Sequence, residues 1–395
     1  MLETPLALIS PTMELVVFFI GFYGHAGLSV WCFNRLHAIP WPRPRIKFCE
    51  RVIMLLAVVV PLLFASRWLS SGPGAWLPYD ATRAAWLCYP IVCWCAAAAT
   101  IPLWVVPKLG DGPCPALISN DTIHLDVCLR LGFAPVGDAL TAFCARAPGN
   151  EILRLAIQRK TLRLPRLPPR LAGLKIAHLS DLHMTGQLTR EFYELMVEQA
   201  NLLQPDIVVL TGDIAEKLPC LSWIEPILGQ VTARYGKYFV FGNHEKRLPD
   251  PQVLRDHLRR AGWVDAASRY LRCPVAADEI LIAGTELPWF GAAPDLLGAP
   301  ELPFRLLLSH SPDQLPWAKQ NGFDLMVAGH NHGGQIRLPL IGPLIAPSKY
   351  GFRYAGGLYW EPPTLLHVSR GLAGIHPVRF NCPPEIALLI LQPAH

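Results

Sequence analysis

KIAHLSDLH (175–183) is a short apolar run that stops on an aspartate and a histidine, and four later runs end in the same manner. DIVVLTGD (206–213) ends at Asp213, KYFVFGNH (237–244) at Asn243 and His244, FRLLLSH (304–310) at His310, and DLMVAGHNH (324–332) at His330 and His332. Uninterrupted apolar runs of this length, bounded by Gly and turn residues, read as strands buried on both faces. Helical patterns at 190–203, 223–232 and 251–261 separate several of them. Strand–helix alternation predicts an α/β arrangement. Ligands in open α/β sheets gather at the carboxyl ends of strands, which is where these polar residues fall.

Singly, each ending is weak. DxH is a common triplet, GD and GNH are also ordinary turns, and a lone His310 suits a satisfied core position as well as a ligand. As a set, Asp181, His183, Asp213, Asn243, His310, His330 and His332 supply seven nitrogen and oxygen donors without a thiolate. Hard and borderline divalent ions take such donors, whereas a structural zinc site recruits Cys. Seven exceeds what one catalytic ion with an open position accepts, so the count predicts two ions sharing a carboxylate. His178, inside the first run, reads as core. Ser309 and Ser311 flank His310 without forming a nucleophilic triad.

The order DLH…GD…GNH…H…GHNH resembles the calcineurin-like metallophosphoesterase superfamily. SDLHMTG (180–186), GHNHGGQIRLP (329–339), PSKYGFRYAGGLY (347–359) and VSRGLAG (368–374) resemble its membrane-associated bacterial branch, although Asn331 stands where that branch commonly has Thr. The resemblance spans about 151–391. It implies a four-layer α/β/β/α sandwich, two facing mixed sheets covered outside by helices. It also implies that Asp181, His183, Asp213 and His332 hold one ion and Asp213, Asn243, His310 and His330 the other, with Asp213 bridging. His244 corresponds to the family's non-ligand histidine at the substrate phosphate. Mn, Fe, Zn and Mg all accept these donors. The implied reaction is hydrolysis of a phosphodiester, pyrophosphate or phosphomonoester by a hydroxide held between the two ions. Arg337 and Arg370 offer bidentate contacts to the phosphate, with surface salt bridges as the other reading. The alternative function is a catalytically silent membrane-tethered scaffold, which predicts lost ligands; none is missing here.

The rest of the chain differs in character. Of 395 residues, 52% are hydrophobic and 16% charged, against about a quarter charged in a soluble domain. Apolar stretches at 13–33, 52–66 (extendable to 71) and 84–107 predict three membrane helices, since about 20 apolar residues cross the hydrocarbon core. No Lys or Arg precedes the first, which argues against a cleaved signal. Residues 1–107 therefore read as a transmembrane segment, 108–150 as a connector and 151–395 as the catalytic domain. Arg35, Arg43, Arg45, Lys47 and Arg51 lie between the first two stretches, and the positive-inside rule puts that loop in the cytoplasm. Three spans then give a multi-pass protein of the cell membrane with a cytoplasmic catalytic domain. The stretch 152–163 reads as an edge strand. The basic, Pro-rich KTLRLPRLPPR (160–170) suits either anionic headgroups or a solvated linker. A phosphate ester, lipid-linked to match the anchor, and membrane lipids are the expected partners. With 35 Lys+Arg against 30 Asp+Glu and no basic stripe, nucleic acid is not expected. Eleven cysteines without a CxxC pair predict no disulfide framework.

Overall fold

The computed structural model describes residues 11–71, 81–110, 114–374 and 376–394. They fall into two compact units, Met1–Gly112 and Pro113–His395.

The first unit is helical: α1 (Pro11–Leu36), α2 (Arg43–Ser71) and α3 (Ala81–Gly110). Gly24 explains the close approach of α1 to α3, because a Cβ there would sit 1.8 Å from the Cys93 carbonyl oxygen. Small residues at such crossings let helix backbones meet where no hydrophobic effect drives association. The Trp94 indole donates to Val17 O at 3.1 Å, and His25 Nε2 lies 3.2 Å from Ala57 O on α2. Two segments, Leu15–Leu36 and Arg43–Ser66, are long and apolar enough to cross a membrane; in α3 the apolar part among the described residues, Cys88–Pro102, is shorter. Residues 1–10 and the link 72–80 lie outside the described residues.

The second unit holds two sheets. The first runs β1 (Leu117–Asp126), β2 (Arg154–Leu164), β15 (Glu385–Pro393), β3 (Lys175–Leu179), β4 (Ile207–Thr211), β5 (Lys237–Val240), β6 (Val264–Asp265). The second runs β13 (Gly357–Glu361), β14 (Thr364–Val368), β10 (Leu325–Ala328), β9 (Arg305–Ser309), β8 (Asp278–Thr285), β7 (Arg269–Val275). A short pair, β11 (Arg337–Leu338) and β12 (Gly342–Pro343), stands apart. Neighbours β3, β4 and β5 are parallel, as are β8, β9, β10 and β14. Side chains alternate across a strand, and that parity builds the layers. Ile176, Val209 and Val240 meet Ile282, Leu306 and Val327 between the sheets. Their neighbours Ala177, Val208 and Leu210 face outward onto Phe192 and Met196 of α6 (Arg190–Leu202) and Leu254 and Leu258 of α8 (Pro251–Arg260). On the far side Leu281, Leu307 and Met326 pack on Leu315 and Ala318 of α9 (Leu315–Gln320). The order is helix, sheet, sheet, helix.

Three features depart from the sequence reading. The stretch 108–150, a connector by composition, joins the second unit from residue 114 onward. Its β1 pairs antiparallel with β2 from Leu117↔Leu162 to Asp126↔Arg154, and the short helices α4 (Val127–Leu131) and α5 (Ala139–Ala145) follow. The stretch 152–163 is no edge strand, because β2 lies between β1 and β15. Three cations of the basic run 160–170 form ion pairs within the unit. Lys160 is buried 3.7 Å from Glu385, Arg166 bonds Asp324 at 2.6 Å, and Arg170 pairs with Asp278.

Candidate metal centre

The parallel strands β3, β4 and β5 of one sheet and β9 and β10 of the other deliver the five polar endings. Asp181, His183, Asp213, His330 and His332 have φ of 53°, 43°, 52°, 71° and 49°. Non-glycine residues seldom occupy this left-handed region, and holding one there costs roughly 1–3 kcal/mol. The surroundings enforce it: Asp181 N–H donates to Gly212 O at 3.0 Å, and His183 N–H to Asp213 O at 2.8 Å. Glu245 accepts from the N–H groups of Gly242 (2.6 Å), Asp213 (3.1 Å) and Ile214 (2.5 Å), tying the ends of β4 and β5 together. Two glycines make room. A Cβ on Gly242 would lie 2.4 Å from Asp213 Oδ1, and one on Gly329 1.9 Å from Ser180 Oγ.

All seven donor residues come together. Asp181, His183, Asp213 and His332 offer ligand atoms within 4.8 Å of one another, as do Asp213, His310 and His330; Asp213 belongs to both groups. Asn243 Oδ1 lies 3.2 Å from His310 Nε2. His183, Glu216 and His244 form a third such group, but there the Glu216 carboxylate faces Nδ1 of both rings, at 2.5 and 2.6 Å, as a hydrogen-bond acceptor.

The hydrogen bonding orients the rings for a cation. His332 Nδ1 sits 3.1 Å from Ala373 O and donates to it, so Nε2 carries the lone pair. That lone pair faces His183 Nε2 at 3.1 Å and Asp181 Oδ1 at 3.4 Å. His183 likewise gives Nδ1–H to Glu216, turning its Nε2 inward, 3.6 Å from Asp213 Oδ2. Burial and neighbouring His183 hold His332 well below the usual histidine range, whereas His183 is raised, its burial outweighed by Glu216, Asp213 and Asp181. His330 is also held well below, by burial and by His310. Acceptors aimed at one another repel unless a positive charge lies between them. His310 reports the same pull: burial opposes its charge, yet the Asp213 and Asp181 carboxylates lift it to about 9. Its Nδ1 is engaged by Thr211 O at 2.7 Å, and Nε2 lies 3.3 Å from Asp213 Oδ2. Burial works against the Asp213 charge, but His244, His310 and His183 hold its pKa well below the carboxylate range. Imidazoles fixed by a carbonyl or carboxylate on the outer nitrogen, with carboxylates between them, are the arrangement that divalent ions require.

Residues 174–334 match the family model for calcineurin-like phosphoesterases. The metallophosphoesterase YkuE of Bacillus subtilis is 31% identical over 241 residues, covering 59% of this chain and 84% of that protein. The chain belongs to the calcineurin-like metallophosphoesterase family. Phosphodiesterase YaeI of Escherichia coli is 29% identical over 229 residues, 56% of this metallophosphoesterase and 83% of YaeI. UDP-2,3-diacylglucosamine pyrophosphatase LpxG of Chlamydia muridarum is 27% identical over 293 residues, 60% of this chain and 88% of LpxG.

Within this metallophosphoesterase the two arginines singled out by sequence stay apart from the donor cluster's bonding. Arg370 Nε donates to buried Glu385 at 2.7 Å, an interior ion pair. Arg337 lies in β11, its Nε buried without a hydrogen-bond partner. His178 is core, bonded to His367 at 2.8 Å and to Thr211 at 2.8 Å. Three residues at the site went unread. Glu216 braces His183 and His244 together, Arg247 pairs with Glu216 and approaches His244 Nε2 at 3.2 Å, and Trp289 packs on His310 and His330 at centroid distances of 5.5 and 4.8 Å. The only sequence signal for Glu216 is an acid three residues after Asp213. Arg247 and Trp289 carry none.

Proposed function

We infer that this metal-dependent phosphoric ester hydrolase is a membrane-anchored dinuclear enzyme acting on phosphodiesters or pyrophosphates, lipid-linked ones among them, with the roles that follow. The carrying observation is that two groups of inward-facing donors share Asp213, with the His244 ring beside them. Divalent ions bound there would supply Lewis acidity, acidifying water and offsetting charge on the phosphoryl oxygens.

The chain's own residues do the rest. Asp213 belongs to both donor groups, where its charge would offset repulsion between two cations. His332 and His310 are held in register by the carbonyls of Ala373 and Thr211, and His183 by Glu216. His244 donates its backbone N–H to Asp213 Oδ1 at 2.8 Å, and its ring Nε2 stands 3.8 Å from Asp213 Oδ2. With Nδ1 donating to Glu216, Nε2 is the atom left for a phosphoryl oxygen or the leaving group, and it donates to either when the ring is doubly protonated. Arg247 is a cation beside that nitrogen. The YaeI and LpxG likenesses support the diester and pyrophosphate classes, and the apolar helices support anchoring. Metal analysis of the purified chain, with assay against phosphomonoesters, diesters and lipid pyrophosphates, tests this reading. Two equivalents of metal and turnover of a diester or pyrophosphate are expected; a single equivalent, or monoesterase activity alone, rejects it.

A further inference from the structure

Five residues past His332 the chain enters a hairpin whose apolar side chains face outward. Arg337 pairs with Pro343 and Leu338 with Gly342. Its base is fixed by Arg337 N–H donating to Phe380 O at 2.9 Å and the Asn381 amide donating to Arg337 O at 3.1 Å. Beyond the base, Leu338, Leu340, Ile341, Leu344 and Ile345 are exposed, Leu340 by 99%. Leu340 also has φ of 63°, a conformation that Gly or Asn adopts more readily. An apolar side chain this exposed gains nothing from hydrophobic burial within the fold. A second patch hangs on the same support. The segment carrying α5 is bonded at one end to the loop after His183 (Gly137 N–H to Gln187 O, 2.9 Å) and at the other to 377–380 (Asn150 amide to Pro377 O, 2.9 Å). Its Leu140 and Phe143 are 65% and 75% exposed.

Exposed apolar surface of this extent marks a binding face, and the charge pattern says for what. From 325 to 360 there is no Asp or Glu, while Arg337, Lys349 and Arg353 are present. Arg353 is shared with Glu361, and Lys349 is exposed. In the hairpin segment, apolar side chains accompanied by cations and no acids match the headgroup–acyl boundary of an anionic bilayer; in the α5 segment one acid, Asp138, is exposed beside Leu140. The same chain carries helices long and apolar enough to cross a bilayer. We propose that the hairpin 335–345, with Leu140 and Phe143, docks on an anionic lipid surface and sinks its tip among the acyl chains. The site then receives phosphate esters from amphipathic molecules lying in that surface. This rests on the phosphoesterase reading above and adds the route by which substrate arrives.

Two measurements on the full chain in proteoliposomes test it. In the first, Leu340→Trp is compared with the parent in vesicles containing phosphatidylglycerol and brominated acyl chains. Extra emission that bromine quenches is expected, and extra emission that it leaves unquenched overturns the proposal. In the second, vesicle-embedded hexadecyl 4-nitrophenyl phosphate and water-soluble methyl 4-nitrophenyl phosphate are hydrolysed side by side. The double variant Leu340→Asp, Ile341→Asp should lose about tenfold or more on the embedded ester and keep the parent rate on the soluble one. The soluble rate and the metal content also report that the variant is folded. Equal loss on both esters, or loss on neither, rejects docking while leaving the hydrolase reading intact. A parent inert on both esters rejects the diesterase reading itself. A dimer of the parent that the double variant dissolves would assign the face to a second copy of the chain and overturn the lipid assignment.

Discussion

Asp213→Asn keeps the shape of the side chain that belongs to both donor groups and removes its charge. A neutral amide offsets little of the repulsion between two cations. The variant should bind less than two equivalents of metal and lose most turnover, by roughly 10²-fold or more; full activity with two equivalents would sink the dinuclear assignment. His244→Ala should act differently, leaving metal near the parent level while slowing turnover by about 10²-fold. If His244 is a general acid, an alkoxide leaving group should suffer more than nitrophenolate. Similar losses would make it a stabiliser of charge on the phosphoryl group. Glu216→Ala touches both sets, because the carboxylate engages His183 and His244 through one oxygen. A loss of about 10–100-fold in metal affinity together with a rate loss is expected, measured by metal titration and kinetics on the same preparation. The donor residues were legible because each ends an apolar run, where backbone position alone dictates which way a side chain turns. Glu216, Arg247 and Trp289 were not, since loop residues reach the site only through tertiary packing.

Between residue and molecule stands the strand end, and here space and burial make separable predictions. Gly242→Ala puts a Cβ 2.4 Å from Asp213 Oδ1 and 2.7 Å from the His310 ring. It should displace the shared ligand and abolish metal binding while the sheets remain paired. Leu308→Ala is the converse. Leu308 is buried between the sheets, and its truncation should cost about 2–5 kcal/mol while leaving metal stoichiometry unchanged. Chemical denaturation and metal analysis of both variants decide the matter; if Gly242→Ala keeps its metal, the close approach at the end of β5 is not what positions Asp213. The element scale also marks where sequence patterning gave out. The strands that end in the donor residues are buried on both faces and read as unbroken apolar runs, and their outer helices read by their helical period. β1 is mostly exposed, with Ser119, Asn120, Asp121 and Thr122 in succession, so nothing in its pattern separates it from a linker. The burial of β2 depends on β15, more than 200 residues later, inserting between it and β3. No local period records such a contact.

At the scale of the molecule, the question is which side of a membrane the phosphoesterase unit occupies, and parity decides it. Between the α1–α2 link and the second unit lie α2 and α3. If both cross, link and unit share a side; if only α2 crosses, they are opposed. The link and its flanks carry Arg35, Arg43, Arg45, Lys47 and Arg51, although Lys47 is bonded to Glu50 at 2.6 Å. Positive flanks of this kind stay cytoplasmic. The uncharged stretch of α2 is short, at 52–66, yet the helix begins at Arg43, and Arg43–Ser66 is long and apolar enough to cross. α3 is 30 residues long as a helix, about 45 Å at 1.5 Å per residue, which exceeds the hydrocarbon core of about 30 Å. We therefore expect both to cross. A compartment-sensitive reporter placed in the link near Ala38 and another fused after His395 should both give the cytoplasmic signal. Opposite signals would mean that α3 does not cross, and two external signals would mean that the basic link has been translocated against the charge rule.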